Sequence, residues 1–211
     1  MSAIQSPWHN EQPLTPDQIR GLLKQQFPEL TVTHVHRLSE GWDNVTWVVN
    51  NAWLFRFPKH ADAARLLKSE LNLLPALSDL PLDIPKPKFI GTPSEDYPYA
   101  FYGHAFLPGE TLDRCALNSE QRIALAMPIA QFLKDLHAFP IIEAQALGVS
   151  HRVEPIFQIE RVQKSYRYLC KQGVFSTPQP AIAFFETQHT MAVSADRVLA
   201  HGDFYARHLL V

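Results

Sequence analysis

Cysteine is scarce. Cys115 and Cys170 are the only two in 211 residues, far apart and outside any Cys-x-x-Cys or Cys/His ligand spacing. Neither a disulfide framework nor a zinc site is therefore expected, and two buried free thiols are the simpler reading. An excess of charge is also lacking: 19 Lys+Arg face 21 Asp+Glu, a net charge of -2. Without a basic surplus to neutralise a phosphate backbone, a dedicated nucleic-acid binder is not expected. The apolar runs are too short to span a bilayer. Met1 to Pro13 shows no basic stretch followed by an apolar one, so no secretory signal is read there and cytoplasm is the expected location. Repeats and low-complexity tracts are missing as well. What is present, 46% hydrophobic residues over this length, suffices for one large or lobed globular domain and excludes disorder.

Thr15-Pro16-Asp17-Gln18 combines an N-cap, a proline at the first helical position and a Gln at the third, predicting a helix through Ile19, Leu22 and Leu23 that ends before Pro28. From Thr31 to Pro58, β-branched and aromatic runs broken at Ser39-Glu40-Gly41 and at Asn50-Asn51 predict three antiparallel strands, with both asparagines in a tight turn. Asp62 to Leu77 returns to helical spacing, with Leu67, Leu71 and Leu74 on one face and Pro75 ending the last turn. Strands are predicted at Lys88–Gly91 and Tyr99–Phe106, closed by Leu107-Pro108-Gly109. Beyond them the pattern is mainly helical. Ser119–His137 places Ile123, Ala126, Ala130, Leu133 and His137 on one face, and Pro155–Leu169 is a second amphipathic stretch. Near the end, Val198-Leu199-Ala200 reads as an apolar strand leading into His201-Gly202-Asp203. A sheet-rich part precedes a helix-rich part, an α+β arrangement in two lobes.

Three elements carry chemistry. Ser39-Glu40-Gly41-Trp42-Asp43-Asn44 lies between two strands, where one glycine permits close approach to a ligand and N–H groups could meet phosphate oxygens; an ordinary hairpin turn is the alternative. Arg56 lies in Leu54-Phe55-Arg56-Phe57-Pro58, and strand alternation turns it away from both phenylalanines. Glu70, on the following helix, could orient that cation; the alternative is that Arg56 points to solvent and Glu70 pairs with neighbouring Lys68 or with nothing. In His201-Gly202-Asp203, a carboxylate on a glycine-opened loop can take a proton from a substrate hydroxyl, and His208 follows five residues later. His137 reads as a hydrogen-bonded core histidine. A metal-dependent hydrolase using His201 and Asp203 would need further ligands that the spacing does not supply.

In this order, Ser39–Asn44, Leu54–Pro58, Phe106-Leu107-Pro108-Gly109-Glu110, Leu136-His137 and His201-Gly202-Asp203 resemble the aminoglycoside phosphotransferase family of small-molecule kinases. The resemblance runs from about Thr31 onward. It implies a protein-kinase-like two-lobed fold, with a strand-rich N-lobe carrying nucleotide loop and hinge over 31–107 and a partial helical C-lobe over 108–211, after the leading helical segment read over 1–30. It further implies ATP with Mg²⁺, the Gly41 loop over the phosphates, Arg56 in the place of the usual phosphate-binding lysine with Glu70 as its partner, the backbone of Ala105 to Leu107 against adenine, and Asp203 as catalytic base. The acceptor would be a hydroxyl of a small molecule.

Two departures follow from the same comparison. The family's usual metal-binding Asn, five residues after the base, is His208 here, and imidazole suits Mg²⁺ less well than an amide oxygen. The strand carrying the family's second metal-binding Asp would fall beyond Val211, so the expectation is a C-terminally truncated, inactive chain that is prone to self-association through Leu209-Leu210-Val211. A non-catalytic nucleotide-binding or interaction module is the alternative function.

Overall fold

Thr15 caps the first helix as its sequence predicts. In a computed structural model that describes residues 10–150, 159–174 and 197–211, the Thr15 hydroxyl accepts from the Gln18 N–H and the Gln18 side chain accepts from the Thr15 N–H at 2.9 Å. The helix, α1 (Pro16–Gln26), buries Ile19, Leu22 and Leu23. Residues 1–9, and the part of the expected helix before Ile159, lie outside the described residues.

Five antiparallel strands follow: β1 (Val35–Glu40), β2 (Asn44–Val49), β3 (Trp53–Pro58), β4 (Pro87–Gly91) and β5 (Phe101–Ala105), in the order β1-β2-β3-β5-β4. The β2–β3 turn takes φ of 56° and 53° at Asn50 and Asn51, the left-handed values that asparagine tolerates. The Asn50 carboxamide also accepts from the N–H groups of Thr33 and His34, fixing the entry into β1. Between β3 and β4, helix α2 (Ala61–Leu73) passes into a short 3-10 turn at Leu74–Leu77, where Pro75 cannot continue the α-helical ladder.

Alternation along β3 divides the sheet chemically. Phe55 and Phe57 enter a buried cluster with α1 residues and with Phe89, Tyr97 and Phe101; Phe57 stacks on Phe101 at 4.6 Å and Phe55 on Phe89 at 5.6 Å. Fully burying such a ring contributes roughly 1.5–3 kcal/mol. Across from Phe55, β5 carries Gly103, and a Cβ there would lie 2.5 Å from the Phe55 ring. The opposite side of β3 carries Arg56 and faces α2.

Helix α3 (Ser119–His137) has the expected bounds but not the expected face. Phe132 and Leu136 are buried, whereas Ile123 is 73% exposed and His137 is exposed. Apolar residues occur nearly all round this helix, so spacing defines no single stripe; the bulkier Phe132 and Leu136 find partners in Leu77, Ala144 and Leu199. His137, about 100° further round, turns outward, so the reading of a core histidine is corrected. Ala144 belongs to α4 (Ile141–Ala146).

Val198-Leu199-Ala200 forms no strand. Leu199 instead anchors the segment by burial in the second core. Leu209 to Val211 is not left without a neighbour: the Glu110 and Val211 N–H groups each donate to the other's carbonyl at 3.0 Å, and Leu112 N–H donates to Leu209 O at 2.9 Å. Both thiols are free and half-buried rather than buried.

The chain divides into two compact units, Met1–Val149 with Val198–Val211, and Ser150–Arg197. The described part of the second is α5 (Ile159–Lys171) with its C-terminal turn. Among the described residues no helix is long and apolar enough to cross a membrane.

Candidate functional site

Arg56 and Glu70 meet as their strand and helix positions predict. An Nη1 hydrogen of Arg56 donates to Glu70 Oε1, closing an ion pair between β3 and α2. Sequence reasoning missed the third member, Tyr102, which lies opposite Arg56 in the β3–β5 register. Its hydroxyl accepts from Arg56 Nη1 at 2.8 Å and donates to Glu70 at 2.7 Å. Burial disfavours the Arg56 cation, but Glu70 and Tyr102 outweigh it and the pKa rises. Burial also pushes the Tyr102 phenol well up, so it stays a neutral hydroxyl.

Gly41 lies between β1 and β2, followed by an exposed Trp42. Its N–H donates to Asn44 O at 2.9 Å, so this N–H is not free to form part of a phosphate cradle. Its φ is not left-handed, and a Cβ would meet only Asn44 O at 3.6 Å. Among the described residues nothing demands glycine here. A second residue that sequence reasoning missed holds this loop from below: Lys59, 4% exposed, donates from Nζ to Gly41 O at 3.1 Å and pairs with Glu40 at 3.0 Å, while its N–H donates to Asp43 O. The hint in the sequence was its place directly after β3, beside Pro58, where a lysine in a buried strand end needs a partner.

At the end of β5, Ala105 pairs with Trp53, and Phe106 N–H donates to Ala52 O at 2.8 Å. Leu107 is half-buried. The ring of His104, buried at 5% exposure, donates from Nδ1 to Ala105 O at 2.8 Å. Burial lowers the His104 pKa, so the folded protein holds it neutral. A lowered histidine pKa contributes stability that is complete above the unfolded value near 6.5 and is lost as pH falls toward the folded value. The denaturation midpoint should therefore drop between pH 7.5 and pH 5, and His104→Gln should flatten that part of the profile. An equal pH dependence in the variant would dismiss His104 as its source.

The His201-Gly202-Asp203 loop sits on the second core through Phe204, which stacks against Phe132 at 5.9 Å. Gly202 has a φ of 80°, a conformation that favours glycine. The Asp203 side chain is 74% exposed and open to a ligand. Its N–H donates to His201 Nδ1 at 3.4 Å, and His208 donates from Nδ1 to Asp203 O at 2.6 Å. That bond leaves Nε2 as the only atom of His208 available to a metal. Among the described residues no three His, Cys, Asp or Glu side chains converge on a cation site. Burial, then His208, lower the His201 pKa, while Asp203 and Glu70 act in the opposite direction. The Arg56–Glu70–Tyr102 group and the Asp203 loop are each held by their own contacts, and among the described residues no hydrogen bond or ion pair joins the two. Arg207 pairs with Asp113 at 3.1 Å and braces the same loop.

The described residues thus offer a fixed cation at Arg56 and an exposed carboxylate at Asp203. The phosphotransferase enzyme family matches the chain over residues 34–211. Among solved structures, the chain is similar to the GDP complex of wild-type aminoglycoside 2'-phosphotransferase-IIIa, at 25% identity and a TM-score of 0.64, covering 83% of this chain and 58% of that one. It is similar also to the GDP and kanamycin complex of APH(2")-IIia, at 28% identity and a TM-score of 0.60, covering 80% and 56%. Macrolide 2'-phosphotransferase MphH from Brachybacterium faecium shares the fold, at 21% identity and a TM-score of 0.61 over 92% of this chain and 67% of that one. The chain spans less than two thirds of the length of the first two. No curated protein matches it.

Proposed function

The chain belongs to the phosphotransferase enzyme family, and from that premise we propose that its site takes ATP and passes the γ-phosphoryl group to a hydroxyl of a small molecule. The observation that carries this reading is the Arg56–Glu70–Tyr102 group, a cation fixed by a carboxylate and a buried hydroxyl, in a chain of this family whose Asp203 carboxylate stands exposed on a glycine-opened loop. Arg56 would neutralise phosphate charge, the Gly41 loop would cover the phosphates, and the backbone of Ala105 to Leu107 would lie along adenine. Asp203 would accept the proton of the attacking hydroxyl as the oxygen–phosphorus bond forms and the bridge to ADP breaks. ATP would arrive as its Mg²⁺ complex, the ion offsetting charge on the phosphates. His208 supports the loop backbone in this reading more than it serves the metal.

The relatives suggest aminoglycosides and macrolides as acceptor classes to try first. We further propose that residues 1–211 alone transfer slowly, since their matched part covers 56–58% of the longer relatives. Titration with a fluorescent nucleotide, followed by transfer of labelled γ-phosphate to a panel of alcohols, tests the proposal. Arg56→Ala should weaken nucleotide binding by about tenfold or more, the worth of one charge-assisted bond. No nucleotide binding by the wild type would sink the reading, and tight binding with no transfer at any chain length would favour a non-catalytic module.

A further inference from the structure

Arg56 spends its donors unevenly. Nη1 carries two hydrogens, one directed to Glu70 and the other to the Tyr102 hydroxyl. The hydroxyl's own hydrogen goes to the same Glu70 oxygen, which closes a ring of three hydrogen bonds. Tyr102 is fully buried, and its ring also lies 5.5 Å from the guanidinium carbon. Both Nη1 hydrogens are thereby consumed. Among the described residues nothing takes the Nε hydrogen or the Nη2 pair, and Nε–H with the Nη2 hydrogen parallel to it forms a free edge, a fork matched to two oxygens of one phosphate. A lysine has three hydrogens on one nitrogen, so the same two partners would leave it a single donor.

We propose that Tyr102 is a positioning residue that locks the guanidinium plane of Arg56 so that its free edge grips two oxygens of one nucleotide phosphate, the two residues acting as a matched pair. The inference rests on the nucleotide-binding reading above. Without the Tyr102 hydroxyl, Glu70 alone still holds the charge in place but leaves the plane free to rotate about one bond. The phosphate contact would suffer while the contacts to the base would not.

The test compares the affinity for ATP with that for adenosine, which lacks phosphates, in wild type, Tyr102→Phe, Arg56→Lys and the double variant, with thermal melts run in parallel. Tyr102→Phe should weaken ATP by about tenfold and leave adenosine within about twofold. Arg56→Lys should show a similar selective loss although the charge is kept. In the lysine background, Tyr102→Phe should add less than about twofold, because no fork remains to orient. Unchanged ATP affinity in Tyr102→Phe, an equal loss for both ligands, or fully additive losses would each overturn the pairing. Were Tyr102→Phe unable to fold, Arg56→Lys would decide alone: wild-type ATP affinity there contradicts the fork. A wild type that binds adenosine and ATP equally well also overturns it, and one that binds neither removes the functional reading itself.

Discussion

Asp203→Asn should leave nucleotide affinity within about twofold of wild type and reduce phosphoryl transfer by about 10²- to 10⁴-fold, the usual share of a general base. The amide keeps the size and most of the polarity of the carboxylate but cannot take the hydroxyl proton. Its exposure keeps the cost small: the side chain is 74% exposed and lies 3.7 Å from His208 Nδ1, while the bonds to His201 and His208 that hold the loop run through main-chain atoms. Stability should therefore move by no more than about 0.5 kcal/mol. The measurement is a single-turnover rate beside a binding isotherm, made in a form of the protein that turns over; on the proposal that the 211 residues alone transfer slowly, the substitution should change little there. A variant that loses nucleotide affinity as severely as rate would show Asp203 to be a binding group.

The largest loss of stability is expected at Phe55. Its ring is completely buried among Phe27, Phe57, Phe89 and Phe101, and Phe55→Ala should cost about 3–5 kcal/mol, or a melting temperature lower by about 10 °C. Gly103 supplies an internal check. A Cβ there would sit 2.5 Å from Phe55 Cε1 and 2.6 Å from Cζ, so Gly103→Ala alone should cost about 1–3 kcal/mol by displacing the ring. With Phe55 already reduced to alanine, the added methyl enters the vacated space. The double variant should be more stable than the sum of the two losses predicts, by about 0.5–3 kcal/mol. Additive losses in denaturant melts would mean that the two sites relax independently and that the contact is unimportant.

Much of the sheet and half of the site were legible because their determinants are local. The Thr15–Gln18 capping box, the Asn50-Asn51 turn and the alternation that separates Arg56 from Phe55 and Phe57 each depend on neighbours within a few residues. Glu70 could be paired with Arg56 because a helix directly follows the strand. Tyr102 could not, since its link to Arg56 exists only through the β3–β5 register, set by chain that returns after β4. Lys59 was hidden for a related reason: apart from its place after Pro58, nothing marks it until the loop from Glu40 to Asp43, distant in sequence, folds over it. The face of α3 was misjudged because apolar side chains surround that helix and only its tertiary partners choose among them. Val198 to Ala200 has a strand's composition but is held by one buried leucine.

The strand order β1-β2-β3-β5-β4 also has a kinetic side. The β1-β2-β3 meander can form from hairpins as soon as Pro58 has left the ribosome, yet the open edge of β3 has no partner until Phe101 to Ala105 is made. β4, synthesised earlier than β5, has nothing to pair with in the interval. Closing that long loop carries an entropic cost before the β3–β5 contacts can repay it, so insertion of β5 should limit the rate of folding. Until it happens, a nascent chain presents unpaired backbone beside Phe55 and Phe57, an edge suited to capture by a chaperone or by another unfinished copy.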